Sequence, residues 1–485
     1  MTISWHLNHE RYGCEPWTVQ REALDRSEDK IRYAHYLEQG LGKTALILNE
    51  FVHYSNRGDV DLLLVVCPES FKLSWISAIK EWGLAHLKSG CWPGAFPGKA
   101  FPAIYVMNWE ALRTQAGLTF LGKLKRKVFL AFDETSYIKN PAAQVTKNSI
   151  HIARGAKFVR LLNGTPQTNS VMDHYGPLKC LNQLEGYLPT TFRKHFAEMG
   201  GWENRQVVGS KNQEELAQIL NECSFRATKA DWRKDLPDRI VSIVQVEMTA
   251  VQKRHYKEMK KDFSTKIGNT KVSAELVLTQ LAKLRQISSG IFMQDGKAEL
   301  IEPIELNRKF KALFELFNAQ DGKVIVVYSY KLTGKILAQM FADANIKYAC
   351  IRGQMNPEDL QEHKRNFNED SNCRVILCQQ AAACMGHTLL GGKGKDRCAT
   401  MIFVENSFSV RDRLQMLDRN HRGEQDQVCT VYDLVASAVE AKIIQGLNER
   451  KAAADLLDDI VAALTETQDF SSTVGFKLIR NETNV

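Results

Sequence analysis

Short apolar runs without polar alternation recur along the chain in two blocks, with helix-like patterns between the runs. Runs of this kind are typical of central strands in parallel sheets that helices cover on both faces. Strand–helix alternation in two separate blocks therefore predicts an α/β protein with two lobes. The predicted strands are 61–67, 103–108, 128–132 and 157–162 in the first block, and 323–329, 347–351, 374–378, 400–405 and 429–435 in the second.

The interval between the two blocks carries mainly helix-like patterns, for example at 213–223 and 275–287. An interval of this length is too long for a bare loop, so we expect helical decoration and a connection between the lobes. The predicted division is lobe 1 with a helical insertion at 1–238, a helical protrusion and linker at 239–300, lobe 2 at 301–456 and a polar tail at 457–485.

Composition and charge narrow the class of protein. Of 485 residues, 44% are apolar and 25% are charged, which excludes disordered, collagenous and coiled-coil chains. The 64 Lys and Arg against 56 Asp and Glu give a net charge of +8, which is compatible with a polyanionic partner without requiring one. No secretory signal and no apolar run of roughly 18 residues is found, so we expect a cytoplasmic chain without a membrane partner.

A glycine-rich turn with the sequence GLGKT precedes the helix-like segment 45–51. Gly40 and Gly42 allow backbone N–H groups at a helix N-terminus to approach a phosphate. Lys43 would then reach the β- and γ-phosphates of ATP, and the Thr44 hydroxyl would ligate Mg²⁺. The strict GxxxxGK[ST] pattern is not met, and a chance Gly-Lys-Thr turn is the alternative interpretation.

An acidic pair follows the predicted strand 128–132 directly. At the C-terminal end of a strand in the same lobe, Asp133 would hold the metal ion, and Glu134 would orient or deprotonate the attacking water. The alternative is an acidic helix N-cap.

Two arginines in the second block match the charge that develops on a transferring phosphoryl group. Arg419 and Arg422 are three residues apart, so on a helix they would share one face and act as arginine fingers. The alternative is a solvated basic helix face.

Taken in order, these segments resemble the motifs of Swi/Snf-type ATPases, a branch of the superfamily-two DExx-box helicase-like proteins. Segment 382–388 looks most like the annealing-helicase branch, and the whole resembles compact bacterial or phage forms. The sequence departs from the family at 135–136, where Thr-Ser replaces Ala-His, and at 380–381, where Gln-Ala replaces Thr-Arg. The matching segments are 16–20, 38–44, 65–75, 107–112, 133–140, 161–169, 225–237, 323–329, 378–389 and 415–425.

The resemblance implies a fold of two RecA-like α/β lobes with helical protrusions between and around them. It implies ATP and Mg²⁺ as cofactors, with Gln20, Gly386 and Gln415 as further ATP-binding residues. It also offers Lys72, Trp109, Ser329 and Thr388 as candidates for DNA contact, although core packing is the alternative for Trp109.

A glycine-rich basic segment at 391–397 looks like a flexible insertion beside the predicted DNA contacts. Its cations Lys393 and Lys395 would track phosphate, or the segment is an untethered surface loop.

The function that the resemblance implies is a nucleic-acid-stimulated ATPase. It would act as a monomeric motor on double-stranded or branched DNA without sequence preference, in the cytoplasm of a bacterium or a phage-infected host. The alternatives are a strand-separating DNA or RNA helicase, and a nucleic-acid-binding module that ATP switches without movement.

Overall fold

A computed structural model describes residues 3–10, 13–94, 96, 102–122, 126–164, 170–200, 206–269, 274–294, 297–383 and 388–449. The chain divides into two units, Met1–Lys234 and Asp235–Val485, here called lobe 1 and lobe 2. Each lobe is built on one large sheet in which all paired strands run parallel.

Lobe 1 contains a seven-stranded sheet and a short antiparallel hairpin, β7–β8. The order of strands in the sheet is β3-β4-β2-β5-β6-β1-β9. Both faces of this sheet are buried, since Leu64 of β2 packs in one apolar cluster and its neighbour Val65 packs in another. The strands are β1 Arg32–Leu37, β2 Leu62–Cys67, β3 Lys88–Cys91, β4 Ala103–Asn108, β5 Val128–Asp133, β6 Phe158–Leu162, β7 Ala197–Gly200, β8 Gln206–Ser210 and β9 Ser224–Ala227.

Helices cover the lobe 1 sheet, and the two between β6 and β9 that flank the hairpin form the helical insertion. The helices are α1 Thr18–Ser27, α2 Lys43–Asn56, α3 Lys72–Glu81, α4 Gln115–Gly122, α5 Gln144–Gly155, α6 Tyr175–Cys180, α7 Pro189–Phe196, α8 Gln213–Cys223 and α9 Lys229–Trp232.

Lobe 2 contains a six-stranded sheet with the order β10-β17-β16-β13-β15-β14, and a separate antiparallel hairpin, β11–β12. Again both faces are buried, because Val326 and Val327 of β13 enter different apolar clusters. The strands are β10 Arg239–Gln245, β11 Ile291–Gln294, β12 Lys297–Leu300, β13 Val324–Tyr328, β14 Tyr348–Ile351, β15 Val375–Gln379, β16 Thr400–Phe403 and β17 Cys429–Val435.

A pair of helices, α10 and α11, precedes the main run of strands in lobe 2. Among the described residues, no helix has the length and apolar character needed to cross a membrane. The helices of lobe 2 are α10 Ala250–Asn269, α11 Ala274–Ser288, α12 Arg308–Asn318, α13 Lys331–Asp343, α14 Pro357–Glu369, α15 Gln380–Ala383, α16 Val410–Leu417 and α17 Ala438–Asn448.

The predicted fold class, two RecA-like parallel-sheet lobes with helical protrusions, is confirmed. All nine predicted strands exist, and the helices predicted at 213–223 and 275–287 are α8 and α11.

Some strands were not predicted. The interval assigned to a helical protrusion and linker, 239–300, begins with strand β10, which pairs with β17 along its whole length from Arg239 to Gln245. This edge strand is only half-buried, so it lacks the strongly apolar pattern of a central strand. Strand β1 was missed because its polar residue His35 interrupts the apolar run. The domain bounds otherwise stay predictions, and the tail 457–485 lies outside the described residues.

Candidate functional site

The glycine-rich turn joins the end of β1 to the start of α2. Gly40 and Gly42 have φ angles of 87° and 79°, in the left-handed region that glycine adopts without strain. A Cβ at position 42 would also collide with the side-chain amide of Gln20. The turn therefore presents its backbone to the N-terminus of a 14-residue helix, where the helix dipole favours an anion.

The lysine of this turn is folded back onto its own loop. The Lys43 Nζ donates hydrogen bonds to the carbonyl oxygens of Leu37 (2.6 Å) and Glu38 (3.4 Å). Thr44, the next residue of α2, is half-buried. Both predicted phosphate-site side chains thus lie at the first turn of α2, as the sequence predicts.

Gln20 lies in the first turn of α1 and is 2% exposed. Its Oε1 accepts a hydrogen bond from the backbone N–H of Trp17 (2.8 Å), and its Nε2 donates one to the carbonyl oxygen of Gly42 (3.1 Å). The side chain therefore supports the glycine-rich turn directly. Its role in reading adenine stays a prediction.

Asp133 is the last residue of β5, and its carboxylate is buried. Oδ2 accepts a hydrogen bond from the Trp75 indole Nε1 at 3.0 Å. Burial raises the pKa of Asp133 to about 6, although the Trp75 hydrogen bond and the nearby Lys43 ammonium oppose the rise. Strand β1, which leads into the glycine-rich turn, and β5, which ends at Asp133, both pair in parallel with β6, so the turn and the acidic pair lie at one edge of the sheet.

Glu134 adopts a left-handed backbone conformation, with a φ of 62°. A non-glycine residue in this region is strained by about 1–3 kcal/mol, and such residues concentrate at functional sites. Its buried carboxylate accepts a hydrogen bond from the Ser136 hydroxyl at 3.1 Å. Ser136 belongs to the first of the two segments that depart from the family pattern, 135–136, and its hydroxyl contacts the predicted water-activating group.

The end of β6 also faces the glycine-rich turn. A Cβ built on Gly164 would lie 3.0 Å from Cγ of Gln39 and 3.7 Å from Nζ of Lys43. The remainder of this predicted motif, 165–169, lies outside the described residues.

Trp109 was predicted as a candidate for DNA contact, and that prediction is wrong. Its side chain is completely buried, with the ring stacked on Phe132 (5.3 Å between centroids) and on Tyr137 (5.5 Å). The indole Nε1 donates to the carbonyl oxygen of Asp133 at 3.0 Å. The core-packing alternative is therefore correct, and Trp109 holds the backbone of the acidic pair through this hydrogen bond.

Lys72 was predicted to contact DNA phosphate, but its ammonium is engaged within lobe 1. Nζ lies 2.6 Å from Oε1 of Glu69 and donates to the carbonyl oxygen of Trp92 at 2.7 Å. Only 11% of the side chain is exposed, so the structure gives this candidate no support.

In lobe 2, the two predicted fingers do not share a helix face. Helix α16 ends at Leu417, so Arg419 and Arg422 lie in the turns that follow. Arg419 is completely buried, and its Nε donates to the carbonyl oxygen of Gln415 at 2.6 Å. It lies close enough to the buried Cys378 thiol to oppose the rise that burial causes in the pKa of that thiol.

Arg422 is partly exposed, unlike Arg419. Its Nε donates to the carbonyl oxygen of Asp418 and its Nη1 donates to the Thr388 hydroxyl, both at 2.9 Å. The helical placement predicted for the pair is therefore wrong, because α16 ends at Leu417, before either arginine. The role of each arginine at a phosphate stays a prediction.

The other predicted residues of lobe 2 vary in exposure. Gln415 is buried on α16, and its Oε1 lacks a hydrogen-bond partner among the described residues. Thr388 is exposed, and Ser329 is half-buried with its backbone N–H donating to Oε2 of Glu405 at 2.8 Å. Gly386 lies outside the described residues.

The basic segment 391–397 is not the flexible insertion that the sequence predicted. Gly391 and Arg397 form a β-bridge that closes the loop, and Gly394–Asp396 is a short 3₁₀ turn. Gln427 donates to the carbonyl oxygen of Gly394 at 3.0 Å, so the loop is also tied to a neighbouring segment. The predicted cations remain in place, since Lys393 and Lys395 are both exposed.

A buried ionic cluster behind the glycine-rich turn was not predicted. Glu50 of α2, Arg160 of β6 and His35 of β1 are all completely buried. Arg160 Nε lies 2.9 Å from one carboxylate oxygen of Glu50, and His35 Nε2 lies 3.3 Å from the other. Burial alone would raise the pKa of Glu50, but Arg160 and His35 hold it at about 2. A polar or charged residue inside each of three apolar patterns was the available sequence signal.

Two protein-family models match the chain. The model described as SNF2-related domain matches residues 37–309, and the model described as helicase conserved C-terminal domain matches residues 308–424.

Similar proteins include a DNA repair and recombination protein RAD54-like of Danio rerio, 23% identical over 87% of this chain and 63% of the relative. An uncharacterized ATP-dependent helicase of Mycoplasma pneumoniae is 23% identical over 85% of this chain and 39% of the relative. The chain thus spans less than two thirds of the length of these curated relatives.

Among solved structures, the Sulfolobus solfataricus SWI2/SNF2 ATPase core in complex with dsDNA is 20% identical and covers 96% of both chains, with a TM-score of 0.43.

Proposed function

Because the chain belongs to the SNF2-related domain family, we propose that it is an ATP-dependent motor on double-stranded or branched DNA. A relative bears the name of a DNA repair and recombination protein, and another that of an ATP-dependent helicase. Translocation, remodelling and strand annealing are the forms of work that such a motor performs.

The observation that carries the proposal is the meeting of two sequence-distant elements in lobe 1. Leu162 of β6 pairs with His35 of β1 and with Asp133 of β5, so the turn that carries Lys43 and the acidic pair follow the same edge of the sheet, although 90 residues separate Lys43 from Asp133. A lysine at a helix N-terminus beside a buried acidic pair is the arrangement that phosphoryl transfer needs. Lys43 binds the β- and γ-phosphates, and Glu134 orients water and accepts its proton.

The donor atoms in lobe 1 fit Mg²⁺. The Asp133 carboxylate is desolvated, which raises its pKa, and a bound cation would relieve that cost. The Thr44 hydroxyl, one residue after Lys43, supplies a second oxygen of the hard type that Mg²⁺ prefers. Bound Mg²⁺ would neutralise charge on the phosphates.

In lobe 2, we assign different tasks to the two arginines. Arg422 is partly exposed, so we assign it, and not the buried Arg419, to the transferring phosphoryl group. Arg419 is buried and contacts the backbone of Gln415, so it positions the turn. Gln20, Gln415 and Gly386 complete the nucleotide contacts.

DNA binding would rest on phosphate contacts, which position a protein without reading bases. Ser329 and Thr388 are the hydroxyl donors that remain from the predicted set, and Lys393 and Lys395 are exposed cations on a closed loop. A motor that moves along DNA needs this independence of sequence.

The decisive experiment compares the rate of ATP hydrolysis with duplex DNA, single-stranded DNA, forked DNA and RNA, with Lys43→Ala as the control. The proposal expects strong stimulation by duplex or forked DNA, and loss of turnover in the control. Stimulation by single strands or RNA with strand separation would favour a helicase. ATP binding without stimulated phosphate release would indicate a switched binding module.

A further inference from the structure

Helix α10 carries a cationic face. Between residues 250 and 261 it has five basic side chains and one acidic side chain, although the whole chain is nearly balanced at 64 basic to 56 acidic residues. At about 100° per residue, the five basic positions fall within an arc of about 120°. They are Lys253, Arg254, Lys257, Lys260 and Lys261, and all except the half-buried Lys260 are exposed.

The opposite side of α10 fixes the helix on lobe 2. Tyr256 is buried in an apolar cluster with Leu281 and Leu284 of α11, and with Val439 of α17, and the half-buried Met259 packs against the same cluster. Because one side is packed into the lobe, the cationic face has a fixed direction and is not part of a mobile arm. A rigid array of charges loses less side-chain and backbone freedom on binding than a flexible one.

Two acidic side chains of the described region lie near this face. Glu258 lies at its edge, where its carboxylate is 3.6 Å from the His255 ring nitrogen. Glu247, which precedes the helix, lies 2.8 Å from Arg308 but 3.9 Å from Lys253, which stays 52% exposed. Among the described residues, Arg254 and Lys257 form no ion pair with an acid, so the charges of these two side chains are available to an external anion.

Helix α11, which packs against α10, is attached at the edge of the sheet where ligands bind in α/β proteins. Arg285 of α11 lies over the Tyr330 ring, 5.8 Å from its centroid, and donates to the carbonyl oxygen of Asn406. These residues follow the C-terminal ends of β13 and β16. Ser329, a predicted DNA contact, is the neighbour of Tyr330.

We propose that the cationic face of α10 is a second phosphate-binding surface for duplex DNA, separate from the predicted motif contacts. The inference rests on the proposed function, because the proposed function identifies duplex DNA as the ligand. From Lys253 to Lys261 the helix rises about 12 Å, and phosphates advance about 3.4 Å along the duplex axis on each strand. The face is therefore long enough to contact more than one phosphate of a strand, and it would bind them without reading bases.

The test uses the full chain with the triple substitution Lys253→Gln, Arg254→Gln and Lys257→Gln. A matched control removes three exposed cations elsewhere on lobe 2, at Lys311, Lys335 and Arg365. Affinity for a 30-base-pair duplex is measured over a range of salt concentrations, together with ATP hydrolysis with and without the duplex. A 30-base-pair RNA duplex is measured in parallel.

The triple variant should bind duplex DNA on the order of tenfold more weakly than the control, because each lost phosphate contact removes a counterion-release contribution. The log–log salt slope should become shallower by up to about 0.9 per contact, and hydrolysis without DNA should be unchanged. Equal affinities and slopes in the two variants overturn the inference. A loss confined to RNA also overturns it. If the unmodified protein shows no duplex-stimulated hydrolysis, the proposed function itself fails.

Discussion

Lobe 1 and lobe 2 each bury a carboxylate–guanidinium pair between a helix and a strand, with the charges in opposite places. In lobe 1 the carboxylate of Glu50 is on helix α2 and the guanidinium of Arg160 is on strand β6. In lobe 2 the guanidinium of Arg413 is on helix α16, and both its Nη atoms bind the Asp433 carboxylate on β17, at 2.8 and 2.7 Å. Each helix also bears predicted residues of the ATP site.

The difference lies in how each helix presents those residues. Helix α2 begins with Lys43, seven residues before Glu50, so the buried pair and the phosphate-site lysine belong to one rigid element. In lobe 2, the turns with Arg419 and Arg422 come after α16 has ended. Lobe 1 therefore presents its lysine at the start of a helix, whereas lobe 2 presents its arginines on the turns that follow a helix.

The largest expected effect tests the lobe 2 half of this comparison. Arg422→Lys keeps the charge but loses the planar fork, so duplex-stimulated ATP hydrolysis should fall by about 10³–10⁵. ATP affinity should stay within several-fold. The measurement is steady-state hydrolysis together with equilibrium binding of a fluorescent ATP analogue.

The control for this prediction is Arg419→Lys. Because Arg419 is completely buried, its substitution should lower the stability of lobe 2 as well as the rate of hydrolysis. If Arg422→Lys destabilises the protein while Arg419→Lys affects only hydrolysis, the assignments of the two arginines are reversed.

The next effect concerns lobe 1. Glu134→Gln removes the proton acceptor but keeps a hydrogen-bond acceptor for Ser136, so hydrolysis should fall by about 10²–10⁴ while ATP still binds. Single-turnover hydrolysis and nucleotide binding measure the two quantities separately. Loss of ATP binding would mean that Glu134 only supports the fold.

Breaking the buried pair of lobe 1 should reduce stability by about 3–5 kcal/mol. Glu50→Leu leaves the Arg160 guanidinium buried without its carboxylate, whereas the double variant Glu50→Leu with Arg160→Met removes both charges and should recover most of the loss. Hydrogen exchange resolved by peptide, with increasing urea, reports each lobe separately.

Asp433→Leu is the matched substitution in lobe 2. If Glu50→Leu increases exchange equally in both lobes, the two pairs do not stabilise their lobes independently.

The smallest effect is a pH dependence at Asp133. Its pKa of about 6 in the folded chain is above its ordinary value of 3.8, so the carboxylate that would hold the metal ion is protonated below about pH 6. Hydrolysis at limiting Mg²⁺ should therefore fall about tenfold for each pH unit below 6 and level off above it. The same proton stabilises the folded state at low pH, and this contribution is lost as the pH rises through 6.

Trp75→Phe provides the sharper measurement of this pH dependence. It removes the hydrogen bond that lowers the pKa of Asp133, so the midpoint of the pH profile should move upward. Identical profiles in the two proteins would show that another group controls the pH dependence.

The sequence was informative where local chemistry determines local structure. The glycine-rich turn was predictable because positions 40 and 42 need a left-handed backbone that glycine provides. Central strands such as β2 were predictable because every residue in them is buried. The placement of the glycine-rich turn and Asp133 at one edge of the sheet was predictable because both follow strands of the same parallel sheet.

The remainder depended on tertiary partners that no local pattern reveals. Strand β1 contains His35, which is tolerated in the core because its Nε2 lies 3.3 Å from the Glu50 carboxylate of α2. Trp109 could not be assigned from its motif position, since its burial depends on Phe132 and Tyr137. The end of α16 at Leu417 could not be predicted either, because Arg419 and Arg422 keep a spacing of three residues that is typical of a helix.

The two indoles that hold Asp133 give the protein an optical property. All eight tryptophans lie at or before position 232, so lobe 2 contributes no indole emission. Trp75 donates to the Asp133 carboxylate and Trp109 donates to its main-chain carbonyl. Indole emission responds to charge at hydrogen-bond distance, so a cation that binds this carboxylate will change the intrinsic fluorescence without a label. Stopped-flow recording of that signal can time the arrival of the metal ion separately from the release of phosphate.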